Sequence, residues 1–209
     1  MAIGTYSELQ TAVQNTIITT YAVARIQEWI ALGEGEVYRR LRIREMETTT
    51  DLTVTAGTRE VALPTRYVGT RRLYLSTDPV RKLDFFTPDD FWSKYISSKT
   101  GPPEAYTVEG ENIVLGPSPD TGYTGKHLYF QALEALSDSN TTNSLLTKWP
   151  DLFHDAAMYR AFMFKGGETG ETRKWLASLD RIVGQIEIAN ERDRYPYGDL
   201  QRRTDSGHP

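Results

Sequence analysis

Apolar residues recur at helical spacing near both ends of the chain and at alternating spacing between them. Leu9, Val13 and Ile17 step by four behind Thr5, with Glu8 placed three residues after that threonine. An N-cap and its reciprocal acid ahead of such a stripe predict a short amphipathic helix. A second helix is predicted from about Ala22, where Ile26, Ile30, Gly33, Val37 and Leu41 share one face. Gly33 and Gly35 each cost that helix about 1 kcal/mol relative to alanine. Either another backbone packs closely there, or the helix is mildly kinked.

From Glu47 the period shortens to two. ETTTDLTVTAGTREVALP is rich in Thr and Val, sets Leu52 and Val54 on one face and turns at Ala56-Gly57. TRRLYL and VRKLDFF flank the turn signal Ser76-Thr77-Asp78-Pro79, and AYTVEG and NIVLGP flank Gly110-Glu111. KHLYFQALEAL ends the strands, with Leu128, Phe130 and Ala132 on one face and His127, Tyr129 and Gln131 on the other. One helix interrupts them: Thr87 caps it, Pro88 takes its first position, Asp89 and Asp90 follow, and Phe91, Trp92 and Tyr95 lie along it.

Beyond SDSNTTNSLLTKWP the helical period returns, with Leu152, Ala156, Tyr159 and Met163 on one face. KGGETGE breaks it, and a last helix carries Trp175, Leu179, Ile182, Ile186 and Ala189 at steps of four and three. The stripe lasts about two heptads, which favours an internal packing face over a coiled coil. Strands bracketed by helices imply an α+β fold rather than alternating βαβ units. The expected organisation is a helical bundle domain from residues 1–46 and 145–195, an inserted antiparallel β domain of residues 47–144, and a C-terminal extension of residues 196–209.

Composition narrows the function. With 209 residues, 39% hydrophobic and 25% charged, the chain is long enough to bury a core without staples, and it has no cysteine. No stretch reaches the length of a membrane span, and the opening residues lack the basic and apolar regions of a signal peptide. The formal charge of −4 argues against a global field for nucleic acid. His127, His154 and His208 have no cysteine partners, so a structural zinc set is not expected; a weak site at His154 and Asp155 is less favoured than an ordinary helix turn. GGETGETRK lacks the Gly-Lys pair of a phosphate loop, and no nucleophile elbow occurs. Neither an enzyme nor a cofactor is expected. The concentrations of interest are basic: Arg39, Arg40, Arg42 and Arg44 at the end of the second helix, and Arg192, Arg194, Arg202 and Arg203 near the C-terminus. Arginine suits protein interfaces through its planar fork and stacking face.

Six segments then carry a resemblance in their order and spacing: TYSELQTAVQNTI, WIALGEGEVYRRLRIREME, VALPTRYVGTRRLYL, TPDDFWSKY, YTVEGENIVLGPSPD and NSLLTKWPDLFHDAAMYRA. Together they resemble the head-to-tail adaptor proteins of tailed bacteriophages, of the tail tubular protein A type. That resemblance implies a structural virion protein at the head–tail junction, assembled in the host cytoplasm. It implies a homo-oligomeric ring, usually a dodecamer, that sits under the portal protein, extends the DNA channel and meets tail or nozzle proteins. DNA passes through without sequence-specific binding, and no membrane is involved. In such adaptors the C-terminal extension docks on the portal, which assigns portal binding here to Tyr195, Pro196, Tyr197, Leu200, Arg202 and Arg203. Arg39, Arg40, Arg42 and Arg44 are expected at a subunit or portal interface. The alternatives are another neck or tail-completion protein, or a DNA-associated structural protein.

Overall fold

The computed structural model describes residues 3–95 and 99–194. Helices α1 (Tyr6–Ile17) and α2 (Val23–Arg40) open the chain. Five strands follow: β1 (Glu47–Val54), β2 (Glu60–Ala62), β3 (Tyr67–Leu75), β4 (Arg81–Lys82) and β5 (Asp84–Phe85). Helix α3 (Pro88–Lys94) precedes β6 (Ala105–Glu109), β7 (Asn112–Gly116) and β8 (Tyr123–Gln131). Helices α4 (Ser144–Lys148), α5 (Pro150–Gly166) and α6 (Gly170–Arg194) complete the described chain. The fold is α+β, with helices at both ends and the strands between them. Contacts divide it into two compact units, one formed by the chain up to Leu41 and from Ala135 onward, the other by Arg42–Glu134.

In the helical unit the expected capping box is present: Thr5 Oγ1 accepts from the Glu8 amide, and the Glu8 carboxylate accepts from the Thr5 amide at 3.0 Å. Tyr6, Leu9, Val13 and Ile17 are buried along α1, and Ile26, Trp29, Ile30, Gly33 and Val37 along α2. Gly33 resolves the question the sequence left open. A Cβ there would lie 2.8 Å from the carbonyl carbon of Ala156 and 2.9 Å from the nitrogen of Ala157 on α5, so close packing demands the glycine. At Gly35 the nearest atom is the far end of Arg39 at 3.7 Å, which imposes no such demand.

Helix α5 packs on α1, α2, α4 and α6. It therefore buries more of its circumference than one stripe: Leu152, Phe153, Ala156, Ala157, Met158 and Ala161 are all inaccessible. Met163, expected on the packed face, is exposed instead. On α6 the regular stripe is internal, with Leu179, Ile182 and Ile186 buried. Helix α4 was not anticipated. Its five residues are too few to show a period, although Asn143 caps it through a 2.8 Å bond from the Leu146 amide.

The β unit holds two four-stranded sheets rather than one run of hairpins. Their orders are β1-β8-β3-β4 and β2-β7-β6-β5, and all pairs are antiparallel except β5 with β6. A core of Leu52, Val54, Leu73, Leu75, Leu83, Tyr106, Ile113 and Leu115 joins residues of both sheets. Strand β8 lies between β1 and β3, pairing all eight residues of β1 without a register shift. Its buried face is that of His127 and Tyr129, while Leu128 and Phe130 are half-buried on the other. Gly125 shares the inner face, where a Cβ would meet the Tyr74 carbonyl oxygen at 2.3 Å. Because Glu47 pairs with Phe130, the two ends of the β unit leave the same sheet side by side.

Candidate functional site

The four arginines expected at an interface divide between the two units. Arg39 and Arg40 occupy the last turn of α2, where cations complement the helix dipole. Glu36, one turn earlier, accepts from Arg39 Nη2 at 2.7 Å, from Arg40 Nε at 2.8 Å and from Arg160 Nη2 of α5 at 2.6 Å. Arg40 also reaches Asp180 of α6 at 2.5 Å. The carboxyl of Glu36 is held below its ordinary pKa chiefly by the Arg39 hydrogen bond, against desolvation and with help from Arg40 and Arg160. Arg40 and Glu36 thus join three helices. Arg39 differs: its side chain is 66% exposed, and its one bond to Glu36 leaves most of the guanidinium toward solvent.

Arg42 and Arg44 begin the other unit. They are exposed and alternate with buried Leu41 and Ile43, in the segment that enters β1 through a short 3₁₀ turn at Arg44–Met46. The spacing of Glu36 to Arg39 and Arg40, three and four residues, could have shown the local part of this network from sequence. Arg160 and Asp180 carried no such signal, since they arrive from distant helices. Arg192 is exposed near the end of α6. Tyr195, Pro196, Tyr197, Leu200, Arg202, Arg203 and His208 lie outside the described residues.

The remaining histidines have structural partners. His154 Nδ1 pairs with Asp155 at 3.0 Å, its Nε2 meets Thr16 of α1 at 3.1 Å, and Ser178 of α6 donates to Asp155 at 2.6 Å. This chain of bonds ties three helices together. Among the described residues, no group of three or more His, Asp or Glu side chains is arranged to hold a metal.

In the β unit, a cleft of about 470 Å³ is lined by Tyr67, Thr70, Arg71, Phe85, Tyr106 and Val108. Thr70 Oγ1 lies between Tyr67 Oη at 2.9 Å and His127 Nε2 at 2.9 Å. Burial pushes the His127 pKa down to about 4 and that of Tyr106 up to about 12. Both shifts move the groups away from neutrality, so neither is poised to exchange a proton near pH 7. The arrangement fits a satisfied polar core rather than acid–base chemistry.

The architecture has a counterpart among known families: the family model described as SU10 adaptor protein matches residues 4–203. The chain belongs to the SU10 adaptor protein family. No curated protein matches it. The family is one of phage head-to-tail adaptors, and the match runs through both helical ends and the β region between them. For an SU10 adaptor the role is structural, at the junction of head and tail in the virion. No described helix is long and apolar enough to cross a membrane.

Proposed function

We propose that this adaptor works as a ring-forming neck subunit, seated under the portal protein, extending the DNA channel and joining the capsid vertex to tail or nozzle proteins. The observation that carries this reading is the family match over residues 4–203, which spans both units. A dodecamer is the expected stoichiometry. Each subunit would use one heterologous interface, repeated until rotation closes the ring. The channel serves DNA by shape, in keeping with a formal charge of −4 that offers no global attraction for the duplex.

Two sets of residues are assigned to contacts on this proposal. Residues 196–209, with Tyr195 just before them, act as a strap on the portal, Tyr195, Pro196, Tyr197, Leu200, Arg202 and Arg203 serving as aromatic, apolar and arginine anchors. Arg39, Arg40, Arg42 and Arg44 serve subunit or portal contacts, Arg39 with least cost to the fold because it is the most exposed of the Glu36 partners.

Negative-stain electron microscopy of the purified protein, alone and mixed with its portal, tests the ring. A ring with a central channel in either sample is the expected result. Protein that stays monomeric in both, or is missing from purified virions, refutes it. Deletion of residues 196–209 is expected to weaken portal binding; undiminished binding disposes of the strap.

A further inference from the structure

The four outer edges of the two sheets are unequal. Sheet order β2-β7-β6-β5 ends in strands of three and two residues, and β4 at one end of the other sheet also has two. At its opposite end lies β1, eight residues long, paired with β8 in unbroken register. Short edge strands, bulges, prolines and lysines are the usual protection against strand addition. β1 is long, unbulged and without proline or lysine, and the charges it carries in ETTTDLTV are those of Glu47 and Asp51. Its remaining alternate N–H and C=O groups point along the sheet plane, where the group that matches them is another extended strand.

The sheet also supplies a matching end. Across it, Asp51 pairs with Lys126, Lys126 with Tyr74, and Tyr74 with Lys82, so one cross-strand row starts acidic on β1 and finishes basic on β4. Asp51 and Lys82 stand in exposed ion pairs, with Lys126 and Asp84 respectively. Such pairs contribute little, so exchanging them for an equivalent contact costs little. Beside Lys82, Val80 is exposed next to a surface groove of about 520 Å³ lined also by Arg72 and Tyr74. Because β1, β8, β3 and β4 alternate in direction, β1 of one copy meets β4 of a like-oriented neighbour antiparallel.

We propose that copies of this chain associate head to tail through their sheet edges, β1 of one subunit adding to the Val80–Leu83 edge of the next, with Asp51 opposite Lys82 and Thr53 opposite Val80. This rests on the ring reading above and names the contact that repeats. It joins separate four-stranded sheets into a continuous antiparallel belt, and each junction gains from repetition around the closed assembly.

The full-length chain has no cysteine, so paired cysteines report this contact without background. With T53C/V80C under a mild oxidant, the expected product is a covalent ladder of oligomers that needs both cysteines. D51K and K82E each place like charges opposite one another and are expected to weaken association by roughly fivefold per interface. The double variant D51K/K82E restores it. Circular dichroism of every variant separates lost folding from lost contact, and the cross-link is read in an otherwise unaltered chain. Rings seen by microscopy without a ladder, or with charge variants assembling normally, overturn the sheet-edge contact while leaving the ring intact. Protein that forms no oligomer with or without portal overturns both.

Discussion

Single residues show where this chain is intolerant of change. Gly33 permits the backbone of α2 to touch that of α5, and Gly33→Ala is expected to destabilise by about 1–3 kcal/mol through overpacking. Gly35→Ala, with no crowding neighbour, should stabilise by up to about 1 kcal/mol. Thermal melts of the two variants would move in opposite directions; equal shifts would contradict the packing explanation. His127 governs a different dependence. Its folded pKa of about 4 lies below the ordinary 6.5, so the unfolded chain binds the proton first as pH falls. The stability due to neutral His127 is complete above pH 6.5, declines between 6.5 and 4, and levels off below. The loss amounts to roughly 3 kcal/mol. Urea midpoints of wild type and His127→Gln across that window should diverge accordingly, whereas parallel curves would assign the acid sensitivity to carboxylates.

Elements carry the next set of constraints. Glu36 and Arg40 connect α2 to α5 and α6, while Arg39 stands at the margin of the same network. Glu36→Ala is expected to cost ~1–2 kcal/mol after allowance for solvent, since it removes the acceptor that Arg39, Arg40 and Arg160 share and leaves Arg160 without that bond. Arg39→Ala should change stability by no more than about 0.5 kcal/mol. Denaturant titration checks both values, and a neutral result at Arg39 makes that substitution a clean probe of partner binding. Much of this level was legible in the sequence. Thr5 and Glu8 announced α1, Thr87 and Pro88 announced α3, and the fold buries the apolar stripe of α2 and the middle of that of α6, where Leu179, Ile182 and Ile186 are buried and Trp175 and Ala189 half-buried. Other features could not be read. Two-residue strands such as β4 and β5 have no period, so the division into two sheets and the parallel pair stayed hidden. Strand β8 mixes polar with apolar or aromatic residues on both faces, Lys126 beside Leu128 and Phe130 on one and His127 beside Tyr129 on the other, which leaves no pattern to say that His127 and Tyr129 face inward. The expected C-terminal anchors fall beyond the described residues, and the Glu36 network depends on Arg160 and Asp180, which only tertiary packing delivers.

At the scale of the whole molecule, two compact units share one chain. The β unit has its own core and closes its ends on one strand pair, so a fragment of residues 42–134 is expected to fold alone. Dispersed amide resonances from that fragment would demonstrate it; a collapsed spectrum would mean that the sandwich depends on the helices. The pairing of Glu47 with Phe130 has a consequence for how such proteins diversify. Chain enters and leaves the sandwich through a gap one strand wide, so a foreign sandwich with the same spacing between its termini can be grafted there without rerouting either helix. Exchange of the whole β unit would then leave the helical scaffold of residues up to Leu41 and from Ala135 onward with its own packing unaltered.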